Sequence, residues 1–137
     1  MEIMKIPAEM EYLDEVINMI EAYLEPFECS AKDLYQIQVS IEELFTNISS
    51  YAYEEEGGEV EVQWRVVKDA CQIIVWITLI DSGRPYNPIE KTDPDFEIPF
   101  EDREIGGLGI YMVQLFMDYM EYQYVDGKNQ FTIGKII

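Results

Sequence analysis

The sequence predicts an α+β fold, a two-layer sandwich in which helices cover one face of a mixed, mostly antiparallel sheet. Helical and strand patterns do not alternate regularly but follow the order β-α-α-β-β-loop-α-β-β. Such an order is typical of α+β domains rather than of regularly wound α/β folds. The 137 residues, 48% of them hydrophobic, suffice for one core. We therefore expect a single domain over residues 1–137.

The first half of the chain predicts one strand and two helices. Residues 1–6 resemble a short strand, and hydrophobic residues recur at helical spacing over 8–24 until Pro26 ends the run. Ser30 and Asp33 have the spacing of a capping box, which predicts the start of a second helix. That helix carries one apolar stripe: Leu34, Ile37, Ile41, Leu44 and Ile48. Gly57 and Gly58 break the chain after it.

The second half predicts four strands, a long loop and a third helix. Hydrophobic residues alternate with polar ones over 60–66, as in a half-exposed strand, and 71–80 is an apolar, β-branched central strand. A hairpin turn at 68–69 joins them. The irregular segment 81–105 is long for a loop in a compact domain, which indicates a lid. A helix over 108–120 and a hairpin of 121–125 and 130–137, turning at 126–129, complete the chain.

The charge of the chain narrows the classes of partner. It has 28 acidic and 9 basic residues, a formal net charge of -19. This balance argues against nucleic acid and against an anionic membrane surface as partners, because both are bound through Lys and Arg. A nucleotide would need Mg²⁺ and local N–H groups to offset repulsion. The charge also suits a partner protein with a basic surface.

The chain has no His, so zinc would depend on Cys and carboxylates. Cys29 and Cys71 lie far apart, at a predicted helix start and within a predicted strand. We expect two buried free thiols in a reducing compartment. Neither a signal peptide nor an apolar stretch of about 18 residues is visible. A cytoplasmic location is therefore expected.

Two glycine clusters indicate a nucleotide site. Asp81 ends an apolar strand, where its carboxylate can accept an exocyclic amino group while Gly83 lets a ligand approach. Gly106, Gly107 and Gly109 open a helix, whose free N–H groups and dipole favour phosphate. Two alternatives stay open. Asp-Gly turns are common, and the glycines could be a flexible helix entry.

Three residues of the second predicted helix suggest chemistry. Glu43, Asn47 and Tyr51 recur every four residues, which places them on one helix face. Glu43 could take or orient a proton from an attacking hydroxyl, and Asn47 offers Mg²⁺ a neutral oxygen. Together with the glycine clusters this indicates a kinase. The alternative for an isolated motif of this kind is a solvated helix face.

The joint arrangement resembles the GHKL ATPase superfamily, with its E-x-x-x-N helix, D-x-G turn, lid and G-x-G helix. Within it the chain is similar to the small anti-sigma-factor serine/threonine protein kinases, over residues 8 to 137. The resemblance implies a histidine-kinase-like ATPase fold with an ATP lid. It rests on three stretches and the chain's end: 42–47, 81–88, 103–113 and 126–135.

The resemblance also implies roles for residues and partners. Glu43 is the expected base, Asn47 the Mg²⁺ ligand, Asp81 the adenine acceptor and Gly83 the adenine floor. Further ATP-binding positions are Tyr51, Tyr86, Arg103, Gly106, Gly107, Leu108, Gly109 and Thr132. Members of this family phosphorylate a small anti-sigma-factor antagonist and otherwise sequester a sigma factor, often as dimers, so a homodimer is also expected here.

Two departures from the family pattern keep other functions open. Tyr51 stands where the family often has His, and Ile105 and Gly106 stand where a basic residue often precedes the glycines, with Arg103 further upstream. Both departures bear on phosphate contacts more than on nucleotide binding. The alternatives to a kinase are a non-catalytic, nucleotide-gated binding module and, less favoured, an ATP-hydrolysing fragment of a larger machine.

Overall fold

The computed structural model describes residues 1–53, 57–90 and 107–137, without the side chains of 90, 107 and 108. Most of the predicted lid therefore lies outside the described residues, together with Arg103 and Gly106. The buried hydrophobic residues of the described part form one core cluster. The extent of the domain, residues 1–137, stays a prediction.

A five-stranded sheet forms one layer, and the α+β prediction is confirmed. The order across the sheet is β1-β2-β3-β5-β4, and each neighbouring pair is antiparallel. The sheet was expected to be mixed, but the described strands include no parallel pair. The strands are β1 (Glu2–Pro7), β2 (Glu59–Lys68), β3 (Ile73–Asp81), β4 (Tyr119–Val125) and β5 (Lys128–Ile136).

Three α-helices form the second layer: α1 (Leu13–Leu24), α2 (Ala31–Asn47) and α3 (Gly107–Phe116). The cap predicted for α2 is confirmed, because the Ser30 side chain accepts a hydrogen bond from the Asp33 N–H at 3.1 Å. Short 3₁₀ turns flank α1, and α2 continues directly into a π-helix at Ile48–Ala52. Among the described helices, none has the length and apolar character needed to span a bilayer.

The core lies between the helices and one face of the sheet. Strand residues alternate, so Ile77, Leu79 and Ile133 are fully buried while their neighbours face the other side. The apolar stripe predicted for α2 belongs to the same core, with Ile37, Ile41 and Leu44 almost fully buried. This packing brings the C-terminal half of α2 to the end of β3.

Two sequence-based predictions were wrong at the ends of elements. The third helix was expected over 108–120, but it ends at Phe116 because Tyr119 and Met120 pair with Gly134 and Ile133 in the sheet. Cys71 was expected within a buried strand, but it is exposed in the turn before β3. The Asp69 side chain accepts hydrogen bonds from the backbone N–H groups of Cys71 and Gln72 there, at 2.8 and 2.9 Å.

The last hairpin turns over two residues rather than four. Asp126 and Gly127 have φ of 53° and 77°, the left-handed conformation that a tight two-residue turn between antiparallel strands requires. Lys128 and Asn129 therefore belong to β5. In the separate pairing of β5 with β3, Asn129 lies directly opposite Asp81.

Candidate nucleotide site

A cleft lies between the C-terminal half of α2 and the ends of β3 and β5. Its empty space, including the open mouth, is about 400 Å³. Mostly apolar walls surround a few polar groups, which suits a flat, largely apolar base. The lining residues are Leu44, Asn47, Ile48, Ala52, Asp81, Tyr86, Pro88, Tyr122, Asn129 and Phe131.

Asp81 is the buried charged group of this cleft, with 5% of its surface exposed. Its Oδ1 accepts hydrogen bonds from the Gly83 backbone N–H and the Asn129 amide, both at 2.9 Å. Burial raises the pKa of the Asp81 carboxyl, and these two hydrogen bonds partly oppose the rise. A buried carboxylate with an oxygen left over is a strong acceptor for a ligand N–H.

Asn129 is a site residue that sequence reasoning missed, since it was placed in a turn. It is 4% exposed and donates hydrogen bonds to Asp81 Oδ1 and to the Arg84 carbonyl, both at 2.9 Å. Its Oδ1 accepts from the Tyr86 N–H at 3.2 Å and from the Tyr122 hydroxyl. The hairpin turn fixes only the pairing of β4 with β5, so the pairing of Asn129 with Asp81 of β3 leaves no local signal in the sequence.

The turn after Asp81 is docked onto the end of the π-helix. The Ala52 carbonyl accepts a hydrogen bond from the Arg84 N–H at 3.1 Å, and the Tyr51 carbonyl accepts one from Arg84 Nε at 3.0 Å. A Cβ on Gly83 would overlap the Ala52 backbone. The chain's own backbone thus approaches Gly83 closely, which accounts for a glycine there without a ligand.

Gly83→Ala is expected to lower the free energy of unfolding by about 1–3 kcal/mol, because the new methyl group must displace rigid backbone at Ala52. ATP affinity should fall too, since the same turn carries Asp81. Denaturant unfolding and calorimetry measure both quantities. Ser82→Ala, at the exposed neighbouring position, is the control and should change stability by less than about 0.5 kcal/mol. Equal stability of the two variants would contradict the packing argument.

Glu43 lies one helical turn before Asn47, against the start of α3. A Cβ on Gly109 would overlap the Glu43 carboxylate, so the absence of a side chain at Gly109 makes room for it. Burial, and to a lesser degree the neighbouring Glu42 charge, raises the pKa of Glu43. The half-buried Glu43 does not lie on an open, solvated helix face. A raised pKa suits a carboxylate that takes a proton near neutral pH.

The position of Asn47 bears on whether the site can hold Mg²⁺. Its amide lines the cleft, and its Nδ2 is buried without a hydrogen-bond partner in the described structure. The described residues hold no group of three acidic or Cys side chains that could bind a metal on their own. Mg²⁺ often uses one or two protein oxygens together with phosphates and water. The single amide oxygen of Asn47 at this cleft fits that pattern.

The other predicted site residues divide into three groups. Tyr86 lines the cleft, and Gly107, Leu108 and Gly109 form the first turn of α3. Tyr51 belongs to the π-helix, in which residues four apart do not share a face as they do in an α-helix, and it does not line the cleft. Arg103 and Gly106 lie outside the described residues.

The expectation for Thr132 is corrected by the sheet. Thr132 shares a hydrogen bond of 2.9 Å with Thr78, and both line a groove on the face of the sheet away from Asp81. Side chains alternate along β5, so Asn129 and Phe131 face the cleft while Thr132 cannot.

The fold and this site define a class of protein. Residues 6–135 match the family model described as the histidine kinase-like ATPase domain, and the chain belongs to that family. The resemblance inferred from the sequence motifs is thereby confirmed.

Individual proteins similar to this chain include two named protein kinases and one solved structure. The chain is 28% identical over 128 residues to a protein named serine-protein kinase RsbW from Bacillus mycoides, covering 90% of this chain and 78% of that protein. The protein of the same name from Bacillus thuringiensis (strain Al Hakam) is 27% identical over 128 residues, with the same coverage of both chains. A crystal structure of the RsbU and RsbW domains of Rv1364c from Mycobacterium tuberculosis shares the fold. Its TM-score is 0.66 at 15% identity, over 99% of this chain and 33% of that longer one.

Proposed function

We propose that the chain is an ATP-binding serine/threonine protein kinase of the GHKL type that acts as an anti-sigma regulatory factor. It would phosphorylate a small anti-sigma-factor antagonist and otherwise sequester a sigma factor. The observation that carries the proposal is the Glu43 carboxylate. It is half-buried against Gly109 at the start of α3, on the same helix that supplies Asn47 and the wall of the Asp81 cleft. The relatives named serine-protein kinase support the same class.

The site is laid out along α2. Asp81 would accept the adenine amino group at the far end of the cleft. Asn47 would hold Mg²⁺, which when bound offsets phosphate charge. Glu43, about 6 Å further along the helix axis, would take or orient the proton of the substrate hydroxyl. The first turn of α3, at Gly107 and Gly109, offers backbone N–H groups to the phosphates.

The partners follow from charge and from the family. A chain of net charge -19 attracts a basic partner, and that attraction weakens in salt. We therefore infer that a sigma factor would bind in a salt-sensitive manner, and that the antagonist would present an accessible Ser or Thr. A cytoplasmic location and a homodimer belong to the same proposal.

The test has two stages. Calorimetry with ATP and ADP, with and without millimolar Mg²⁺, should show Mg²⁺-dependent binding to the full chain. γ-labelled ATP and the chain, added to its native extract at low salt, should then label Ser or Thr of a small protein. Both results are required. Absence of nucleotide binding would overturn the proposal at its first step.

One observation favours a second function, a non-catalytic nucleotide-gated binding module. Tyr51 stands where the family often has His, and this π-helix residue is not among those that line the cleft. A module of this kind would bind ATP and a partner protein without transferring phosphate. Nucleotide binding together with complete absence of label in the second stage would decide for it.

A further inference from the structure

Asn129 has every hydrogen-bonding position of its side-chain amide filled. Its NH₂ group donates to Asp81 Oδ1 and the Arg84 carbonyl at 2.9 Å, with a longer contact of 3.4 Å to the Gly83 carbonyl. Its oxygen accepts from the Tyr86 N–H and the Tyr122 hydroxyl. A side-chain amide offers two donors and two acceptor positions, so none is left for a ligand.

These partners also fix which way the amide points. The Tyr86 backbone N–H can only donate, so the amide oxygen must lie on that side. The Asp81 carboxylate and the Arg84 carbonyl can only accept, so the NH₂ group must face them. Asn129 cannot turn over without losing hydrogen bonds at both ends. Because Asn129 is only 4% exposed, water would not easily replace the lost hydrogen bonds.

The fixed amide determines how Asp81 faces the cleft. Oδ1 is taken by Asn129 and the Gly83 N–H, while Oδ2 accepts no hydrogen bond from the described residues. The carboxylate is thereby held against rotation and presents one oxygen to a ligand. A single fixed acceptor recognises an amino group and disfavours a ring position that has none.

We propose that Asn129, held by the Tyr122 hydroxyl, is a positioning residue that makes the site selective for 6-aminopurine nucleotides. It acts through Asp81 and does not itself touch the base. The inference rests on the proposed function, because it assumes that ATP occupies this cleft. It deepens that function by naming the group that sets base selectivity.

The test compares two ligands that differ in one group: ATP and purine riboside triphosphate, which lacks the 6-amino group. For the wild type, ATP should bind about tenfold more tightly or better, as expected for a hydrogen bond to a charged acceptor. In Asn129→Ala this ratio should fall to within about threefold of one, because only the Gly83 N–H then holds the Asp81 carboxylate, which is also partly solvated. The ratio isolates positioning, since a loss of folded protein weakens both ligands equally.

Tyr122→Phe is the milder variant. It keeps the ring that lines the cleft, removes the hydroxyl that holds Asn129, and should reduce the ratio about two- to threefold. Two controls should keep the wild-type ratio. Gln130→Ala alters the neighbouring residue on the opposite face of β5, and Ile133→Val weakens the same strand in the core.

The outcomes separate the two proposals. A wild type that binds neither nucleotide overturns the proposed function and this inference with it. A wild type that prefers ATP, with the ratio unchanged in both Tyr122→Phe and Asn129→Ala, overturns the inference alone. If Asn129→Ala does not fold, the ratio in Tyr122→Phe decides. A reduced ratio in Ile133→Val would show that selectivity follows stability rather than the position of Asp81.

Discussion

Glu43→Gln is expected to lower phosphoryl transfer to the protein substrate by about 10²–10⁴-fold while ATP still binds. Gln keeps the size of the side chain and its place against Gly109 but cannot accept the hydroxyl proton. ATP affinity should stay within about threefold, because Glu43 does not line the cleft that holds Asp81. Single-turnover transfer from γ-labelled ATP and calorimetry measure the two quantities separately.

Stability provides an internal check on this variant. The pKa of Glu43 is raised by burial, so the folded state holds its proton more tightly than the unfolded chain does. The contribution of Glu43 to stability therefore grows as pH falls from the raised pKa toward the ordinary value of 4.5. Above that pH range the half-buried carboxylate is ionised and lowers the free energy of unfolding, and Gln removes this unfavourable charge. Glu43→Gln should be at least as stable as the wild type at pH 7.

Glu42→Gln is the matched control, since it removes one charge from the adjacent, exposed position. It should retain phosphoryl transfer within about threefold, with a slightly lower pKa at Glu43 because a repelling charge is gone. Equal loss of transfer in both variants would mean that overall charge matters and Glu43 is not the base. Full transfer in Glu43→Gln would reject the assignment outright.

Local sequence signals predicted most of the fold. The Ser30 cap, the apolar stripe of α2 and the alternation in β2 each depend on neighbouring residues, and the structure shows all three. The predictions were wrong where pairing with a strand distant in sequence determines the secondary structure. The residues before Tyr119 have a good helical pattern, but Tyr119 itself pairs with Gly134 and belongs to β4. The propensity of one segment gives no information about the competition between a local helix and pairing with a distant strand.

The predictions for the candidate site divide in the same way between local signals and long-range pairing. Glu43, Asn47 and Asp81 could be singled out as candidate site residues from sequence, because their chemistry and spacing are visible along the chain. Asn129 could not be assigned a role, since its partnership with Asp81 depends on a strand register 48 residues apart. Thr132 was expected at the adenine from the resemblance alone, and its place on the other face depends on the same register, because a shift of one residue moves a side chain across the sheet. The π-helix that docks on Gly83 leaves no clear local signal either.

Asp81→Asn is expected to weaken ATP binding by about 1.5–3 kcal/mol, roughly 10- to 150-fold. Asn can still accept from Asn129 and the Gly83 N–H through its own Oδ1, so the turn should persist. In place of Oδ2 it presents an NH₂ group, which would face the adenine amino group donor to donor. The fold should not suffer, because the change removes a buried charge whose pKa burial raises.

The pH dependence of binding separates this charge effect from a loss of shape. In the wild type, protonation of Asp81 removes the acceptor, so ATP affinity should fall as pH drops through its raised pKa. Asp81→Asn should lack this component, while titration of the ATP phosphates affects both proteins alike. Asp126→Asn is the matched control, since it removes one charge at the hairpin turn, where φ is 53° and Asn is tolerated. It should bind ATP like the wild type. Parallel pH profiles for wild type and Asp81→Asn would show that the Asp81 carboxylate does not receive the base.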